Sequence, residues 1–195
     1  MSLAGAVILL VGDSWAAGPV GAQLAELLRA QGASVTVDGE VGRSANSLAA
    51  NMSAFADEIT RVRPDHVVFL LGVNDVVSSR TQDSYDALYA TATSQGAQAW
   101  VLSNATMPDS TYRAKVLRIE QMQRETFGTH ALAGALLADA SWFDHSGYHL
   151  APDYAGSWAQ LVAPMLVRLI DGQSGTLAEV GRMLLRVVPF GERWI

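Results

Sequence analysis

The chain has 195 residues, 50% of them hydrophobic, 16% charged and none of them cysteine. That length suits one domain with at most a short appendage; so apolar a chain is not disordered, and without cysteine it builds no disulfide scaffold, thiolate zinc site or thiol nucleophile. The formal net charge of −6 sets 13 Lys and Arg against 19 Asp and Glu, with Lys115 the single lysine, so a nucleic-acid role, which needs a basic surface, is set aside.

Ala6 to Val11 is a continuous apolar run of the kind found in strands buried on both faces. It ends in Gly12-Asp13-Ser14 rather than a small-residue cleavage site, and the first five residues carry no Lys or Arg. It therefore reads as a strand of the fold and not as a signal peptide. The expectation is a soluble chain, cytoplasmic or delivered by a route other than a signal peptide. Neither this run nor Val67 to Leu71 approaches the roughly 20 residues of a membrane-spanning helix.

A helix follows over about Val20 to Gln31, with Leu24, Leu27 and Leu28 at helical spacing and Gly32 as its stop. Ser34 to Val37 is β-branched and short, a second strand. Gly39 to Ser47 reads as a loop, Leu48 to Arg61 as a helix closed by Pro64, and Asp65 to Leu71 as a third strand ending on Gly72. A helix near Tyr85 to Thr93, a fourth strand over Gln98 to Ser103 and an amphipathic helix over Tyr112 to Thr126 continue the alternation. The stretch from Ala131 to Phe143 reads as helix or strand, with a short fifth strand placed within Ala135 to Phe143. A last core helix runs from about Asp153 to Ile170. Alternating β and α elements with apolar strands predict a parallel sheet covered by helices on both faces.

Residues 1–171 form the predicted domain. Residues 172–195 read as a linker and a short amphipathic helix, with Leu177, Val180, Leu184 and Val187 on one stripe. That helix either folds back on its own domain or docks on a protein partner or a second copy.

In such sheets ligands bind at the carboxyl ends of the strands, and the polar residues cluster there. Ser14 follows the first strand, Gly42 lies in the loop after the second, Asn74 follows the third, and His149 precedes the last helix. A serine hydroxyl needs a base to become a nucleophile, and attack on an ester creates an oxyanion that needs N–H donors. Ser14 suits the nucleophile, the backbone of Ser14 and Gly42 and the Asn74 amide suit the donors, and His149 suits the base.

The blocks Gly12-Asp13-Ser14, Gly42 within Val41 to Ser44, Gly72-Val73-Asn74-Asp75 and His149-Leu150 resemble the SGNH or GDSL-type hydrolases in order and spacing over residues 5–171. The resemblance implies a three-layer α/β/α sandwich on a five-stranded, flavodoxin-like parallel sheet, no metal or organic cofactor, and esterase, deacetylase or lipase-like chemistry. On that basis Ser14 is the nucleophile, Gly42 and Asn74 complete the oxyanion hole and His149 is the base. One position departs from the pattern. The family places an aspartate three residues before the histidine, where this chain has Ser146. The orienter of His149 is then Asp144, five residues ahead, or Ser146, or a backbone carbonyl.

Other readings compete. Ser14 alone suits a helix cap, Asn74-Asp75 an Asx-turn, and Asp13 and Asp75 the hydrogen-bonded bracing of their loops. His145 rivals His149 as the base, His66 reads as structural and His130 as solvated. A metal site from Asp144, His145 and His149 lacks helical spacing and a second ligand cluster. Trp15 is either a wall of the substrate site or packing beneath the first helix, and Tyr148 is similarly ambiguous. Two functions are carried forward. The first is a serine esterase removing a short acyl group from a carbohydrate or small molecule. The second is a catalytically weakened carbohydrate-binding or structural protein of the same fold in a larger assembly.

Overall fold

The structure, a computed structural model, describes residues 3–105, 110–132 and 140–172. Strands β1 (Val7–Gly12), β2 (Ser34–Gly39), β3 (His66–Leu70), β4 (Gln98–Leu102) and β5 (Ala131–Leu132) form one sheet in the order β2-β1-β3-β4-β5. Every pairing is parallel. This is the flavodoxin-like strand order, whose switch point lies between β1 and β3.

The period-2 alternation of the strands divides the core into two layers. Ile8 and Leu10, Val68 and Leu70, and Trp100 and Leu102 point to one side. There they meet the helices α1 (Ser14–Ala17), α2 (Pro19–Ala30) and α7 (Pro152–Ile170). Leu9 and Val11, Val67 and Phe69, and Ala99 and Val101 point to the other. That side holds α3 (Ala45–Ala50), α4 (Met52–Val62), α5 (Ser79–Ser94) and α6 (Ser110–Phe127). Because both faces of β1 and β3 are covered, their apolar runs are continuous rather than alternating.

Several expectations need correction. The helix predicted from Leu48 is two helices that meet at Asn51, and the first begins earlier, at Ala45. Ser44 caps it reciprocally with Ser47, a capping box written with serine in place of glutamate. Helix α5 likewise starts at Ser79, because Ser78 caps the Thr81 N–H. The fifth strand pairs at Ala131–Leu132, ahead of the predicted stretch Ala135 to Phe143, of which residues 135–139 lie outside the described residues. Pairing falls at Val101↔Ala131 and Leu102↔Leu132. His130 sets that register: its ring stacks on Trp100 at 4.1 Å and its Nδ1 lies 3.1 Å from the Ala99 carbonyl, which draws Ala131 alongside Val101. His130 is thus packed against the sheet rather than solvated. The predicted C-terminal helix lies in 173–195, outside the described residues.

Candidate active site

Gly12 ends β1 where no side chain fits: an added Cβ would lie 2.3 Å from the Leu70 carbonyl oxygen and 2.7 Å from the Ala16 Cβ. The chain can therefore turn directly from the sheet into α1. Asp13 caps that helix, accepting the Trp15 N–H at 2.8 Å. Ser14 stands as its first residue, half-buried above the carboxyl edge of the sheet. Its Oγ lies 2.7 Å from His149 Nε2.

The histidine arrives on a tight hairpin. Phe143 and Leu150 form an antiparallel bridge, the Asp144 N–H donates to the His149 carbonyl at 2.9 Å, and the Ala151 N–H donates to that of Trp142 at 2.8 Å. Trp15 holds this hairpin down by donating its indole N–H to the Tyr148 carbonyl at 3.0 Å. The same indole meets Trp158 of α7 edge-on at 5.4 Å, and Trp15 is 1% exposed. Trp15 therefore packs beneath the helix and does not wall the site. Tyr148 stays half-buried, its ring 4.5 Å from that of His149 and 5.5 Å from that of Tyr112.

Asp144 sits on the far side of the imidazole. Its Oδ2 is 4.0 Å from His149 Nδ1, beyond hydrogen-bond length, while its Oδ1 accepts the Ser146 N–H at 2.8 Å and the Ser146 hydroxyl. Partial desolvation pushes this carboxyl up, but the two Ser146 bonds and the nearby His149 and His145 outweigh it and hold it below the ordinary value. Ser146 thus occupies the family's acid position and braces the displaced acid. His145 is exposed on the same turn, and it is His149 that meets Ser14. Among the described residues no three His, Asp or Glu side chains are grouped as metal ligands.

Gly42 lies at φ 83 in the turn after β2, exposed. Asn74 reaches back to this turn, its Nδ2 donating to the Arg43 carbonyl at 3.1 Å. Asp75 is buried and braces two elements: Oδ1 accepts the Ala45 N–H at 2.7 Å and Oδ2 accepts the Tyr85 hydroxyl. Burial raises its carboxyl, and burial with Asp75 nearby raises that of Asp13 to about 7.

Two members of this network were not singled out from sequence. The Gln123 side-chain amide donates to Tyr85 Oη at 2.8 Å and to the Leu71 carbonyl at 2.9 Å. Tyr85 and Gln123 are 0% and 1% exposed. The available signal was Gln123 itself, a polar residue on the stripe of Val116, Ile119 and Phe127 that buries one face of α6.

Residues 10–175 match the GDSL-like lipase/acylhydrolase family. The chain belongs to that family. As a member it is a hydrolase of the esterase type in the SGNH fold, and its sheet is the one that the resemblance implied. No curated protein matches the chain. Among solved structures it is similar to the psychrotrophic esterase EstA from Pseudoalteromonas sp., inhibited by monoethylphosphonate, at 15% identity and TM-score 0.65, over 85% of this chain and 98% of that one. A catalytic mutant of an acetylxylan esterase from Geobacillus stearothermophilus is similar at 14% identity and TM-score 0.64, over 86% and 94% of the two chains. An alpha/beta hydrolase enzyme from the metagenome of Lake Arreo, Spain, is similar at 17% identity and TM-score 0.59, over 90% and 99%. At these identities the likeness is one of fold.

Proposed function

We propose that the protein is a serine esterase that removes a short acyl group from a carbohydrate or other small ester through an acyl-enzyme. The observation that carries this reading is the 2.7 Å contact of Ser14 Oγ with His149 Nε2. Nε2 takes the hydroxyl proton as Oγ attacks the ester carbonyl, then gives it to the departing alkoxide, leaving the acyl group on Ser14. Water, deprotonated by the same nitrogen, cleaves that ester and restores the serine. The N–H groups of Ser14 and Gly42 and the Asn74 amide stabilise the oxyanion in both halves. Asp144, braced by Ser146, stabilises the imidazolium. The similarity to an acetylxylan esterase supports a short acyl group on a carbohydrate. An esterase of this kind hydrolyses p-nitrophenyl acetate, and Ser14→Ala lowers that rate about 10⁴-fold or more. Turnover that survives Ser14→Ala contradicts the assignment.

The 4.0 Å separation of Asp144 from His149 favours a second reading, in which the fold is kept for carbohydrate binding or assembly and catalysis is weak. Binding of an acetylated oligosaccharide, unchanged in Ser14→Ala and unaccompanied by ester turnover, distinguishes it.

A further inference from the structure

Arg43 has no role in the chemistry just described, yet it lies where the loops of the site meet. Its side chain is 11% exposed. One arm of the guanidinium donates to the Asp38 carbonyl at 2.8 Å and to the Gly12 carbonyl at 3.3 Å, the latter two residues ahead of Ser14. The other meets the Asp38 carboxylate at 3.0 Å and that of Glu40 at 3.1 Å. Its main chain closes the turn that carries Gly42: the Arg43 N–H donates to the Glu40 carbonyl at 3.2 Å, while the Glu40 N–H donates to the Gly12 carbonyl at 3.1 Å. With φ 83 at its third residue, Gly42, the turn has a type II signature. Its closing bond uses the Arg43 N–H and leaves that of Gly42 out. The Arg43 carbonyl also accepts from Asn74 Nδ2 at 3.1 Å. A side-chain amide carries two N–H groups, so anchoring one fixes the amide plane and the direction of the other.

We infer that Arg43 is a positioning residue for the oxyanion hole, clamping the Gly42 turn to the end of β1 and, through its own carbonyl, orienting the Asn74 amide. The inference rests on the serine-esterase reading. A planar fork with several donors suits this arrangement, since it serves two carbonyls and two carboxylates at once; a lysine ammonium, one point charge on a flexible stem, does not. The two donors act on the transition state more than on the bound ester, so loss of the clamp acts on kcat rather than on KM.

The test is steady-state hydrolysis of p-nitrophenyl acetate by wild type, Ser14→Ala, Arg43→Ala, Arg43→Lys, Asn74→Ala and the double variant Arg43→Ala/Asn74→Ala, each checked for folding by circular dichroism. Arg43→Ala is expected to lower kcat by about 10²-fold with KM within about threefold, the scale of losing one oxyanion donor. Arg43→Lys, which keeps the charge without the fork and covers the case of an unfolded alanine variant, is expected to lose at least about tenfold. The double variant should fall below Asn74→Ala by clearly less than the full Arg43→Ala factor, because the part of that loss that passes through the Asn74 amide is already gone while the Gly42 part remains. Folded Arg43 variants with wild-type kcat, or losses that multiply fully with Asn74→Ala, overturn the inference alone. Absence of Ser14-dependent turnover in the wild type overturns the esterase reading, and the inference with it.

Discussion

A carboxylate that orients a catalytic histidine acts through both distance and charge. Asp144 has the charge, held ionised by two bonds from Ser146, but stands 4.0 Å from Nδ1. Where such an acid is in direct contact, its loss costs about 10⁴-fold in turnover; at this separation a smaller loss is expected. Asp144→Asn should lower kcat for p-nitrophenyl acetate by roughly 10- to 10²-fold, on the same reasoning. Ser146→Asp on that background restores the family's spacing and should regain most of the loss. If Asp144→Asn has no effect, a carbonyl or water orients the ring instead.

At the scale of elements, the short helices α1 and α3 hold the site, and both depend on polar caps. Ser44 accepts the Ser47 N–H while Ser47 Oγ accepts the Ser44 N–H, and Asp75 accepts the Ala45 N–H beside them. Ser44→Ala should therefore cost about 1 kcal/mol, read as a lower denaturation midpoint with an unchanged m-value. These caps also explain which elements the sequence displayed. Strands β1, β3 and β4 are apolar runs whose predicted bounds agree with the structure to within a residue or so. The start of α3 at Ala45 is not legible, because Ser44 and Ser47 look like loop composition until their reciprocal bonds are seen. The pairing of β5 at Ala131 and Leu132 is not legible in the sequence, because these two residues take their register from His130 stacking on Trp100, a contact 30 residues apart in sequence. Of the site, Ser14, Asn74 and His149 stood out through motif order, and the structure brings Ser14 and His149 together. The brace formed by Ser146 and the clamp formed by Arg43 were not readable, since each depends on loops folding back on themselves.

Over the whole molecule, two acids lie buried beneath the site. Asp13 is 0% exposed and Asp75 1%. With its carboxyl raised by burial from 3.8 to about 7, the folded protein keeps a proton that the unfolded chain has released. Asp13 is therefore stabilising at acid pH relative to neutral, and that contribution is lost as pH rises from about 4 through 7. Asp13→Asn keeps the capping oxygen and removes the titration. Urea unfolding at pH 5 and pH 8 should show the wild type losing stability relative to this variant, by at most about 3 kcal/mol, since only the two units between pH 5 and about 7 contribute at ~1.4 kcal/mol per unit. Parallel pH profiles for the two proteins would exclude the buried charge as the cause.

The central claim is that His149 activates Ser14 as a nucleophile, and covalent labelling tests it most directly. The protein is incubated with an activated alkyl phosphonate ester and the modified peptide identified by mass spectrometry. One adduct is expected, on Ser14, absent from Ser14→Ala and slowed by about 10³-fold or more in His149→Ala. Labelling at another residue, or labelling of Ser14 at the same rate without His149, would contradict the account.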